Sequence, residues 1–181
     1  MNELAYLAGI IDGEGCISIR KANPSGSMRS VSYSAVLTVG NTSRALIEYL
    51  VDLHSVGCVT YRGPTKTRRS SYLWSIESRK ARDVVAPVRP HLVIKRAQAD
   101  VFVDFVDHFE SFKGARPGHR GGIPIGAEEM SRRRGLYEQM RALNQVGPRR
   151  DELRLKDGRK SLGVTAEFMA RRRRVTRPES I

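Results

Sequence analysis

Residues 7 to 15 read Leu-Ala-Gly-Ile-Ile-Asp-Gly-Glu-Gly, an apolar stretch that ends in carboxylates and glycines just ahead of a strand pattern. Asn2 is placed to cap a helix running to about Asp12. On that helix Leu4, Leu7, Ala8 and Ile11 form one apolar face, and Ala5, Gly9 and Gly13 form a stripe of small residues. Such a helix is expected to be buried all round. The small stripe lets a second backbone come close, so the expected partner is a second copy of the same helix, with Ala5, Ala8, Gly9 and Asp12 at the contact. Asp12 and Glu14 fall at the helix C-terminus, where the macrodipole disfavours each negative charge by roughly 0.3 to 1 kcal/mol. Acids placed there require a cation.

The residues that follow alternate. Ile17 and Ile19 interleave with Ser18 and Arg20 over Gly15 to Lys21, a half-buried strand. Asn23-Pro24-Ser25-Gly26 makes a turn. Val31 to Asn41 puts Tyr33, Ala35, Leu37 and Val39 on the core face and Ser32, Ser34, Val36 and Thr38 on the other. Ser43 caps a helix carrying Leu46, Ile47, Leu50 and Leu53, closed near Gly57. A second hairpin is expected from Val56 to Arg62 and Tyr72 to Ser78, with Lys66, Arg68 and Arg69 at its tip. In its second strand Trp74 and Ile76 face the core, while Ser71, Leu73 and Ser75 face out. Ser78 starts a short helix that Pro87 and Pro90 should end. A longer helix over Leu92 to Phe112 buries Ala99, Phe102, Val103, Val106 and Phe109. A Gly/Pro-rich loop spans 114 to 126, and Glu128 to Asn144 is helical through Leu136, Tyr137, Met140 and Leu143. Residues 1–148 thus read as one domain and 149–181 as a basic tail with at most one short helix.

The nonapeptide resembles the signature of the LAGLIDADG homing endonucleases, with Ile10, Gly13 and Glu14 as substitutions of a kind that family shows. The order of elements after it is similar to the family's αββαββα core, an α+β fold whose saddle-shaped antiparallel sheet sits on DNA. A single copy of the motif resembles the branch whose members act as homodimers. The resemblance implies a site-specific enzyme that hydrolyses phosphodiester bonds in both strands of a long, pseudo-palindromic double-stranded DNA target. It also implies the intron mobility such enzymes confer. A non-cleaving DNA- or RNA-binding protein of the same fold, a maturase or a regulator, is the alternative.

If two motif helices pack across a two-fold axis, two Glu14 carboxylates converge at the centre of one continuous β surface. Oxygen-only ligands suit Mg²⁺, and paired sites of that kind stabilise both the attacking and the leaving oxygen in phosphodiester hydrolysis. By the resemblance, Glu14 matches the family's catalytic acid and the Gly13 carbonyl its supplementary metal ligand. Asp12 reads as a helix-end structural acid. Lys95, in Ile94-Lys95-Arg96-Ala97-Gln98, falls where the family carries an active-site lysine that stabilises negative charge. A lysine on a solvated helix face is the plain alternative. Asn41 falls where the family often has a polar residue orienting water, and equally suits a strand end.

The exposed faces of the four strands can follow a major groove. Arg20 and Arg62 are the expected guanine readers, joined by Ser18, Ser32, Ser34, Thr38, Thr60, Ser71, Leu73 and Ser75. Arg68, Arg69, Arg132 to Arg134 and Arg171 to Arg174 touch phosphates or only solubilise. The four histidines, His54, His91, His108 and His119, show no ligand spacing.

Composition supports a polyanionic partner: 32 Lys and Arg against 19 acids give a formal charge of +13 in 181 residues. A basic ribosome-associated protein shares that balance, but charge alone leaves the buried helix ending in Glu14 without a purpose. No apolar run approaches the roughly 18 residues of a membrane span, and no secretory leader is expected. Cys16 and Cys58 lack metal spacing and are expected to be small buried residues of a reducing compartment. The protein is expected to be intracellular. Arginines outnumber lysines 25 to 7, which points to a bacterial or phage-infected cytoplasm over an organelle.

Overall fold

A computed structural model describes residues 2–25, 31–114 and 126–145. The expected loop between the last two helices and the basic tail fall mostly or wholly outside the described residues. Along the chain run α1 (Glu3–Glu14), β1 (Gly15–Ala22), β2 (Ser32–Asn41), α2 (Arg44–His54), β3 (Cys58–Arg62) and β4 (Ser71–Glu77). After these come α3 (Ser78–Val88), a 3-10 turn (Arg89–His91), α4 (Arg96–Gly114) and α5 (Ala127–Leu143). The four strands form one antiparallel sheet in the order β1-β2-β4-β3.

Period-2 patterning gives the sheet two different faces. Ile17, Ile19, Tyr33, Ala35, Leu37, Val39, Trp74 and Ile76 point inward and join the helices in one core. The helical contributions include Leu7, Ile11, Ile47, Leu50, Val85, Phe102 and Met140. The other face carries the polar set. Register aligns Cys16, Thr38, Ser75 and Cys58 in one row across all four strands, with Ser18, Val36 and Glu77 in the next row but one.

Several expectations change. Leu4 is 37% exposed, and Ile10 takes its place in the core, because α1 turns the side bearing Leu4 outward. Val36, on the outer face, is nonetheless fully buried: Ser18 and Glu77 flank it in register, and an Arg20–Glu77 ion pair bridges over β2. Cys16 and Cys58 are exposed, not buried, since their parity puts them on that outer face. Pro87 does not end α3. It lies in the last turn, and the helix continues to Val88. Finally, α4 starts at Arg96 and not at Leu92, because the amides of residues 93–95 are taken by a side chain from α1.

Candidate nucleic-acid cleavage site

The site is built at the junction of α1 and β1. Asn2 caps the helix start, its side-chain oxygen accepting from the Ala5 amide. At the far end, Gly15 enters β1 directly, with its amide still bonded to the Ile11 carbonyl. The chain passes so tightly there that a Cβ on Gly15 would lie 2.7 Å from the Ile11 oxygen, so only glycine fits. Glu14 is therefore the last helical residue before the sheet, and it is exposed.

Asp12 faces the other way. Its carboxylate accepts hydrogen bonds from the amides of Val93 (2.8 Å), Ile94 (3.2 Å) and Lys95 (2.9 Å), pinning the entry to α4. Burial pushes its pKa up, but the three amides and the nearby Lys95 ammonium outweigh that, so the carboxyl lies below its ordinary value. The Lys95 ammonium in turn donates to the carbonyls of Ile11 (2.9 Å) and Asp12. The negative end of the α1 dipole thus receives its cation. The Asp12 carboxylate thus has a structural task within its own chain, as a helix-end acid. Ala8, expected at the subunit contact, is 1% exposed and belongs to the core.

Glu14 opens onto a groove of about 400 Å³ lined by Gly40, Asn41, Thr42, Arg62, Ser71, Tyr72 and Leu73. The groove thereby gathers five of the expected site residues: Glu14, Asn41, Arg62, Ser71 and Leu73. Asn41 also has a structural task, its side-chain oxygen accepting from the Ser43 amide at 2.8 Å at the start of α2. Gly13 is exposed beside Glu14, and a Cβ there would meet nothing within 4 Å.

Ser18, Arg20, Ser32, Ser34, Thr38, Thr60, Arg62, Ser71, Leu73 and Ser75 all lie on the outer face by register. Among them, the Ser18 hydroxyl donates to the Val36 carbonyl at 3.4 Å, and Arg20 bonds Glu77. Arg68 and Arg69 are exposed in the β3–β4 connection, where Arg68 closes a turn onto Thr65. Arg133 departs from expectation. It is 4% exposed, bonded to Glu129 and stacked 4.5 Å above the Phe109 ring, so it joins α4 to α5 and cannot touch a phosphate. Sequence reading overlooked Glu77, although the alternation of Ser71, Leu73 and Ser75 already put position 77 on the same face.

Hard oxygen donors at this end of α1 suit a divalent cation. Asp12 does not, having given its carboxylate to three amides. Among the described residues no group of three or more His, Cys, Asp or Glu converges. At this end of α1, among the described residues, the exposed carboxylate is that of Glu14, with backbone oxygen beside it.

No family model matches the chain. It is 30% identical over 113 residues to the DNA endonuclease I-CreI of Chlamydomonas reinhardtii, a match spanning 61% of this chain and 66% of that relative. In fold it is similar to the archaeal intron-encoded homing endonuclease I-Vdi141I, solved with DNA. That likeness has a TM-score of 0.62 and 14% identity, and covers 82% of this chain and 87% of the other. I-CvuI, solved with its target in the presence of calcium, gives a TM-score of 0.54 at 17% identity, covering 80% and 96%. The LAGLIDADG homing endonuclease I-LtrWI, bound to target DNA, gives 0.57 at 19% identity, and the chain spans only 45% of that longer protein. With its motif helix abutting a four-stranded antiparallel sheet and these likenesses of sequence and fold, the chain belongs to the LAGLIDADG homing endonuclease family.

Proposed function

We propose that the chain is a homodimeric, divalent-metal-dependent endonuclease that cuts both strands of a long, nearly palindromic double-stranded DNA site. The observation that carries this reading is the position of Glu14. It is exposed at the end of a helix whose own cation and companion acid are already committed, and it opens onto a groove continuous with the polar face of the sheet.

The dimer is part of the same reading. Ala5, Gly9 and Gly13 are exposed on α1, and a Cβ at Gly9 or Gly13 would meet nothing within 4 Å in the single chain. Leu4 and Tyr6, at 37% and 45% exposed, flank that open side. Packing α1 on its counterpart covers this apolar surface and brings two Glu14 carboxylates together. It also joins two sheets into one long surface that can lie along a major groove.

In that arrangement Glu14 and the Gly13 carbonyl would hold Mg²⁺ together with phosphate oxygens. The bound ion would supply charge stabilisation at the scissile phosphate and a more acidic water. The rest falls to the chain. Lys95 keeps the last turn of α1 in place through the Ile11 and Asp12 carbonyls, which fixes where Glu14 points. Asn41 fixes the β2–α2 corner that forms the groove's opposite wall. Arg62 lines the same groove and would contact the DNA itself.

The test pairs plasmid nicking in Mg²⁺ with DNA binding in Ca²⁺. Glu14→Gln keeps size and removes charge, so it should abolish cutting while DNA affinity stays equal or rises. Undiminished cutting by the Gln variant overturns the mechanism, and wild-type protein that binds a preferred site without ever cutting it points to a regulator of the same fold.

A further inference from the structure

Glu77 ends β4 on the outer face of the sheet, directly across from Val36, and its carboxylate accepts a hydrogen bond from Arg20 of β1 at 3.3 Å. The pair passes over β2, with Val36 fully buried on that face. Two features set this acid apart. Glu77 occupies the N-cap of α3, where helix amides and the dipole attract a carboxylate, yet it forms no capping bond and reaches across the sheet instead. Ser78 then follows in the left-handed region, at φ 53°, and carries the chain from strand to helix with no loop between. Strand register on one side and α3 on the other hold Glu77 in place.

A carboxylate on a surface meant for a polyanion is unfavourable unless it is neutralised and put to use. Its bond to Arg20 engages one of the five N–H donors of a planar guanidinium. The Arg20 side chain is 53% exposed on the outer face, beside Ser18 and Ser34, so solvent or a ligand can reach the guanidinium there. A fork restrained along one edge loses less freedom when its other edge pairs with the O6 and N7 of guanine.

We propose that Glu77 is the positioning residue for Arg20, and that the two together read one guanine in each half of the target. This rests on the proposed endonuclease function of the same face. Arg20 makes the base contact, and Glu77 sets the plane and reach of its guanidinium. The side chains are 53% and 54% exposed, so variants at either position should still fold, with at most a small loss of stability where the pair covers Val36.

The experiment selects binding sites for the full chain from a pool of randomised double-stranded DNA, in Ca²⁺. Wild-type sites should carry guanine at one symmetric pair of positions that Arg20→Ala flattens by about tenfold. Glu77→Gln should flatten the same pair and no other, and the double variant should do no worse than Arg20→Ala alone. A Glu77→Gln protein whose affinity changes evenly across the pool with that guanine intact, or which loses preference elsewhere, overturns the proposal. Wild-type protein that selects no sequence at all overturns the endonuclease reading itself, an outcome distinct from the first.

Discussion

Asp12 and Lys95 cap each other's helices. The Asp12 carboxylate accepts from the Lys95 amide at the start of α4, while the Lys95 ammonium donates to the Asp12 and Ile11 carbonyls at the end of α1. Both helix ends are satisfied by one reciprocal contact, and Glu14 sits two residues beyond it. Positioning and stability are therefore coupled at this point.

Asp12→Ala should leave the amides of residues 93–95 without their acceptor and cost about 2 to 4 kcal/mol, toward the upper range for bonds to charged groups. Urea unfolding at neutral pH measures this. Lys95→Met should also lower stability, by about 1 to 2 kcal/mol through the lost dipole and carbonyl contacts. If Lys95 holds Glu14 in place, cutting by the folded Met variant should fall further than the folded fraction does. Cutting that merely tracks the folded fraction would reduce Lys95 to a structural residue.

Gly9→Leu separates folding from association. A Cβ at Gly9 would meet nothing within 4 Å in the single chain, and leaving glycine in a helix interior gains up to about 1 kcal/mol, so the monomer should melt no lower. Two copies of α1 should then be unable to approach. Sedimentation of wild type and variant at micromolar concentration, alone and on DNA, gives the answer. A wild-type chain that stays monomeric on DNA would sink the dimer.

Legibility in the sequence followed locality. The core faces of β2 and β4 could be read because alternation is local, and Tyr33, Ala35, Leu37, Val39, Trp74 and Ile76 are buried as that pattern requires. Asn2 and Ser43 were legible as caps for the same reason. The start of α4 was not, because Val93 to Lys95 have a helix-compatible pattern and only a carboxylate 81 to 83 residues earlier diverts their amides. Val36 and Arg133 depend on partners that pattern cannot name. The sole local hint for Arg133 was its spacing of four from Glu129, easily lost inside a run of three arginines. In the site itself, the motif marked Glu14, but only the sheet register brings it together with Arg62 and Ser71.

Acid should unfold the protein in two stages. His54 stacks on the Trp74 indole, centroids 5.6 Å apart, with its Nε2 buried and unbonded. Burial lowers its pKa from the ordinary 6.5, offset in part by the Glu3 charge. The folded state then binds this proton less readily than the unfolded chain, so stability begins to fall as pH drops below about 6.5. Glu129 is raised by burial but lowered more by His108 and Arg133, so its net shift is downward from 4.5. Its contribution, like that of Asp12, is present above that range and is lost as pH falls through the carboxylate values. Urea midpoints taken from pH 8 to 3 should show both limbs, and His54→Phe should remove the upper one alone.

Arg62 distinguishes the two kinds of DNA contact on one residue. It pairs with Ser71 in register on the outer face and lines the groove that Glu14 opens onto, so under the proposed function its guanidinium would meet either a base edge or the DNA backbone. Affinity for any DNA should fall steeply with salt, because phosphate contacts dominate the binding energy. If Arg62 reads a base, Arg62→Ala should relax preference at one symmetric pair of positions by about 1 to 3 kcal/mol and leave the salt slope nearly unchanged. A phosphate contact would instead weaken cognate and random DNA equally and reduce the slope by about one per site. Competition binding at several salt concentrations decides between them, and equal losses on both DNAs would remove Arg62 from the set of guanine readers.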